Sequence, residues 1–126
     1  MAFPGTYNIS YYRGYTFEFR VYPKTATGAT FDLTNYTVAG FFLAAARGAE
    51  STIECTANIA QDSSGLWYVN CVIKPAVGLN LDPDITYVYD VEVLKPASGD
   101  AGSYPYRYTL LTGSVSVTDH VGEVTA

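Results

Sequence analysis

The sequence predicts an all-β chain, folded as one antiparallel β-sandwich of seven or eight strands. Three observations carry that reading. Apolar residues alternate with polar ones through most segments, which is the period of a strand with one buried face. Gly, Pro, Asn and Asp punctuate the chain about every ten residues, the turn spacing of a sandwich. The aromatic content is weighted to 12 tyrosines and 6 phenylalanines among 126 residues, and flat rings pack well on pleated surfaces.

The strands are expected in the following order. Tyr15 to Tyr22 places Phe17, Phe19 and Val21 on one face and Glu18 and Arg20 on the other, and Pro23 ends it. Tyr36 to Ala45 reads as a strand with Val38, Gly40 and Phe42 sharing a face, closed by Arg47-Gly48. Ile53 to Ile73 reads as a hairpin: Ile53, Cys55, Ala57 and Ile59 form one apolar face, and Trp67, Val69, Cys71 and Ile73 the other. A three-residue loop at Asp62 to Ser64 sets Cys55 opposite Cys71, whereas a two-residue slip keeps the same faces and separates the cysteines. Lys74 to Pro83 is a connector with a helical turn near Pro75 to Leu79. Ile85 to Leu94 is a long strand with Tyr87, Tyr89, Val91 and Val93 inward, and Pro96 to Gly102 is a loop tip. Two last strands span Tyr104 to Leu111 and Gly113 to Thr118. The expected core includes Phe17, Phe19, Val21, Val38, Trp67, Val69, Tyr89, Val91, Val115 and Val117. One domain covers 1–126, with a short N-terminal arm at 1–6 and a C-terminal tail at 119–126.

Composition narrows the function. Hydrophobic residues make up 48 % and charged residues 15 %, a globular balance. The net charge is −5, and the 7 basic residues are scattered, which argues against a nucleic-acid partner. The opening residues lack the basic start and apolar run of a signal peptide, and no stretch approaches the roughly 20 apolar residues of a membrane span. The chain is therefore expected to fold in the cytosol and to have no membrane partner. Two glycosylation sequons, at Asn8 and Asn35, are then chance matches.

Catalytic chemistry has few candidates. His120 is the only histidine and sits beside Asp119 at the end of the last strand, where a solvated histidine is the plain expectation. No Gly-x-Ser-x-Gly turn accompanies it. Zinc wants four Cys or His ligands and the chain holds three such residues. Asp82-Pro83-Asp84 has carboxylates for calcium but reads as an acidic turn. Gly99-Asp100-Ala101-Gly102 lacks the helix of a phosphate loop. The expectation is a binding or structural module with no cofactor and no metal, not an enzyme. Cys55 and Cys71 are expected to be buried thiols in a reducing compartment, with a disulfide as the alternative.

Tyrosine is the chemistry-bearing feature. Tyr7, Tyr11 and Tyr12 crowd one segment, and Tyr104, Tyr106 and Tyr108 another. Both carry little charge beyond Arg107, although edge strands of soluble monomers are usually blunted by lysine or proline; Pro105 interrupts the late segment and can protect only that edge. Clustered tyrosines suit protein interfaces and also stack on sugars. These six residues are the candidate interface, with one segment expected against another copy or another protein.

Several segments in order carry a resemblance: Arg13-Gly14-Tyr15-Thr16-Phe17-Glu18-Phe19, then Gly28 to Tyr36 with its Asp32-Leu33-Thr34, then Gly65-Leu66-Trp67, then Tyr87-Val88-Tyr89-Asp90-Val91, and last Leu111-Thr112-Gly113-Ser114-Val115-Ser116-Val117. This order resembles the immunoglobulin-like β-sandwich domains of tailed-bacteriophage virion proteins, including the N-terminal domain of baseplate upper proteins. The opening, Tyr7 to Gly14, is similar to small virion proteins of cyanophages. The resemblance spans roughly residues 7 to 118 and implies an immunoglobulin-like sandwich in a particle component: a tail, baseplate or neck adaptor, or a capsid decoration. It implies other virion proteins or further copies of the chain as partners, localisation in the virion, and no catalytic residues. The alternative function is a carbohydrate-binding module for attachment to a host glycan.

Overall fold

The computed structural model describes residues 4–122. Eight strands and one helical turn follow in order: β1 (Gly5–Thr6), β2 (Ile9–Tyr12), β3 (Phe17–Val21), β4 (Val38–Ala44), β5 (Ile53–Gln61), β6 (Trp67–Ile73), α1 (Pro75–Gly78), β7 (Thr86–Lys95) and β8 (Tyr106–Thr118). They form one curled sheet in the order β1-β8-β7-β4-β5-β6-β3, with β2 also on β8. The sheet is mixed, which corrects the expectation of a wholly antiparallel one: β1 and β2 run parallel to β8. Gly5 and Thr6, expected in a free arm, pair with Leu111 and Thr112. Positions 1–3 of that arm and 123–126 of the expected tail lie outside the described residues.

The curl comes from β5. Its first residues pair with β4 through Ile53 to Cys55, and its later ones pair with β6 through Thr56 to Gln61. One strand thus passes from one half of the sheet to the other. The halves meet through aromatic rings: Phe19 of β3 stands edge-on to Phe41 of β4 at 5.5 Å, and Phe41 to Tyr89 of β7 at 5.5 Å. Such edge-to-face pairs add to plain area burial.

Alternation places most of the core as the sequence predicts. Val69, Cys71 and Ile73 of β6 and Tyr87, Tyr89, Val91 and Val93 of β7 are buried, as are Val21, Val115 and Val117. Phe17, Phe19 and Trp67 are half-buried against them. Val38 is the exception at 50 % exposure, because β4 faces the other way from expectation. Phe41 and Leu43 are buried, while Phe42 lies outside with its ring over Gly40, leaving no room there for a Cβ. The two expected last strands are one strand of 13 residues, with a register shift against β7 near Val91 that absorbs the extra residue.

The β5–β6 hairpin takes the slipped register. Ala57 stands opposite Cys71 and Gln61 opposite Trp67, so the loop is Ser63 to Gly65 and not Asp62 to Ser64. Gly65 adopts φ +82°, and the Asp62 carboxylate accepts from the amides of Ser64 and Leu66. That left-handed glycine sets the bulged turn. Cys55 then faces Phe41 across β4, and both thiols are free and buried.

Candidate functional site

The strands distribute the predicted tyrosines over three places. Tyr106 begins β8 and Thr118 ends it, with Tyr12 paired to Thr118. Twelve strand steps separate those ends by roughly 40 Å. Tyr12 and the late tyrosines therefore occupy opposite ends of the sheet and cannot share one contact patch.

The late end is the stronger site. Tyr104 is 63 % exposed and its ring packs T-shaped on Tyr106 at 5.3 Å. The Lys95 ammonium lies 5.1 Å from the centroid of the Tyr106 ring, an attractive cation–π arrangement. Tyr108 is half-buried behind them, beside Phe31 and Tyr36. Burial, followed by the neighbouring Tyr108 and Tyr106, raises the Tyr36 hydroxyl above its ordinary value. Tyr104 is raised by its hydrogen bond to Tyr106. Five aromatic side chains thus gather where β8 from Tyr106 to Leu110 pairs with β7 on one side and, among the described residues, with no strand on the other. Phe31 and Tyr36 were not expected here. Their signal is the Asp32-Leu33-Thr34 segment, which turns the chain between them: the Asp32 carboxylate accepts from the amide and hydroxyl of Thr34, and Leu33 is fully buried. Those bonds hold Asp32 below its ordinary value.

At the opposite end Tyr12 is 57 % exposed and tilts against Tyr15, whose ring neighbours His120. His120 is not the solvated histidine expected. Its side chain is 21 % exposed and sits 3.5 Å from Asp119. Arg13 donates from Nε and its guanidinium to the Leu79 carbonyl, tying the β2–β3 turn to the end of α1. Tyr11, expected at an interface, is a core residue. Alternation in β2 turns it inward to 2 % exposure, its hydroxyl donates to the Tyr15 carbonyl, and it lies on Gly78, where any Cβ would collide with it.

Tyr7 occupies a third place, edge-on to Phe19 at 5.8 Å. A groove of about 400 Å³ opens there, lined by Tyr7, Phe19, Arg20, Val21, Tyr22 and Leu111. A second concavity, about 230 Å³, lies outside β4 and β7 around Arg47, whose guanidinium bonds Asp90 at 2.9 Å and also reaches Thr112 and the Tyr89 carbonyl. Arg47 and Asp90 pair with each other there, so the contact reads as a surface brace.

Asp82-Pro83-Asp84 is an internally bonded turn, with the Asp82 carboxylate accepting from the Asp84 amide. Among the described residues no three His, Cys, Asp or Glu side chains converge as metal ligands, and no helix is long and apolar enough to cross a membrane. No protein-family model and no curated protein sequence matches the chain.

Proposed function

We propose that this chain is a structural protein of a tailed-phage particle, an immunoglobulin-like sandwich that works through protein–protein contacts in a tail, baseplate, neck or capsid-decoration position. Strand order supports the immunoglobulin-like part: β3 pairs with β6, β4 with β7, β7 with β8, and an early strand, β2, runs parallel to the last. Tyr87 supports it too. It stands near the start of β7, and its hydroxyl accepts from the Asp82 amide at 2.9 Å, the pattern of the tyrosine corner in such domains.

The observation that carries the function is the exposed Tyr104–Tyr106 pair with Lys95 beside an open stretch of β8. Large, stiff, hydrogen-bonding rings next to unpaired backbone suit a protein partner, which adds both area and strand pairing. Two rings at 68° to one another make a poor flat platform for a sugar.

Mass spectrometry of purified particles tests the reading: the protein is expected at a fixed, symmetric copy number. Replacing Tyr104 and Tyr106 with Ser is expected to lower its incorporation while the isolated chain stays folded. Absence from particles, or glycan-array binding by the isolated chain that is lost in the same variant, overturns it.

A further inference from the structure

We propose that β3 is a self-complementary edge through which two copies of this chain pair antiparallel about a two-fold axis at Phe19. This surface is separate from the tyrosine pair at the late end of β8.

The strand is terminal in the sheet: it pairs with β6 on one side and, among the described residues, with no strand on the other. Glu18 and Arg20 are exposed on its outer face, while Phe17, Phe19 and Val21 point inward, the two phenylalanines only half-covered. Open backbone beside half-covered rings is the usual template for adding a strand.

The sequence of the strand identifies the occupant. In an antiparallel pair, directly opposite residues share a face. Two copies of Phe17-Glu18-Phe19-Arg20-Val21 centred on Phe19 set each Glu18 against the other copy's Arg20, twice over. On the inner face Phe19 meets its own copy, and each Phe17 meets a Val21. Centring on Glu18 or on Arg20 would instead oppose like charges. Centring between residues would mix the outer and inner faces. Within Phe17–Val21, this register alone pairs every residue of the strand, sets Glu18 against Arg20 and keeps the faces. The contact is isologous, the closed arrangement expected of identical chains.

The neighbours are compatible. The Glu18 carboxylate accepts from Asn70 at 2.8 Å, and the Arg20 guanidinium lies 4.3 Å over the Tyr68 ring and bonds the Tyr22 hydroxyl. Both charges are thus held over the outer face by β6 and β3, with the second carboxylate oxygen and the remaining guanidinium donors available. The groove lined by Phe19, Val21 and Leu111, with Tyr7 packed on Phe19 at one side, opens beside the strand. Gly14 and Pro23 bound the strand, so the pairing is short and the dimer reversible.

Sedimentation of the full chain over a concentration series is expected to show a monomer–dimer equilibrium. Glu18→Arg and Arg20→Glu alone oppose like charges, and each is expected to raise the dissociation constant by about tenfold or more. The double swap restores both pairs and is expected to return the constant to within about threefold of the parent. A second measurement is independent of charge. Under mild oxidation a mixture of the Glu18→Cys and Arg20→Cys proteins is expected to cross-link, and neither alone. Cys55 and Cys71 are buried and do not interfere. A parent chain that stays monomeric to ~1 mM, a double swap as weak as the single ones, or a Glu18→Cys protein that cross-links to itself as readily as to its Arg20→Cys partner overturns the proposal.

Discussion

The hydroxyl of Tyr89 donates to the carbonyl oxygen of Tyr7 at 2.5 Å, joining residues 82 apart in sequence. The bond passes over Gly113, where a Cβ would come within 2.1 Å of that same carbonyl and 3.0 Å of the Tyr89 ring. The parallel attachment of the N-terminal strands to β8 therefore depends on a tyrosine in β7 and a glycine in β8. Tyr89→Phe is expected to cost about 1–2 kcal/mol, the loss of one part-buried hydrogen bond. Gly113→Ala is expected to cost about 2–3 kcal/mol, because backbone must move to admit the methyl. Urea unfolding of each variant measures both.

The corner before β7 gives a second prediction. Tyr87 is 5 % exposed and its hydroxyl receives the Asp82 amide. Tyr87→Phe leaves that amide without its partner and is expected to lower stability by about 1–2 kcal/mol, with the β-rich far-ultraviolet spectrum unchanged. A loss below about 0.3 kcal/mol in the same urea titration would mean the corner is not a stabilising contact.

Adjacent tyrosines in β2 are expected to behave oppositely. Tyr11→Ser opens a cavity in the core and is expected to cost about 3–5 kcal/mol, as for other buried aromatic truncations. Tyr12→Ser, at an exposed ring, is expected to fall within about 0.5 kcal/mol of the parent. Thermal melts of the two single variants make the comparison directly.

The two cysteines set a pH dependence. Burial pushes both thiols up from an ordinary 9.0 to about 12. Their folded values are raised, so the folded chain retains protons that the unfolded chain releases between those limits. The stabilisation is complete below about pH 9 and is lost as pH rises towards 12. Burial raises Tyr89 and Tyr11 as well, in the same direction. Melting temperature is expected to fall between pH 8 and pH 10.5, and less steeply in a Cys55→Ala, Cys71→Ala variant. At pH 8 a thiol reagent is expected to modify neither cysteine until the chain is unfolded.

Alternation determined β3, β6 and β7 and the inward face of each, because apolar residues recur at every second position with Glu18, Arg20, Asn70, Asp90 and Glu92 between them. Pro75 likewise announced α1, where its missing amide costs nothing at the first helical position. The tyrosine segments were visible as segments, and Tyr104 and Tyr106 stand exposed as their composition suggested. Tertiary structure decided the rest, for identifiable reasons. In Val38-Ala39-Gly40-Phe41-Phe42-Leu43-Ala44 both faces are apolar, so only the approach of Phe19 and Tyr89 to Phe41 chooses which one is buried. In the β5–β6 hairpin two registers preserve the same faces, and the left-handed Gly65 chooses between them. Thr112-Gly113 looks like a break between strands, but the glycine is there to let Tyr7 and Tyr89 meet above a continuous β8. Which of Tyr11 and Tyr12 turned inward depended on parallel pairing with a strand more than a hundred residues away. Local sequence carries the period of a strand; its partner, its register and the face it hides are properties of the curled sheet.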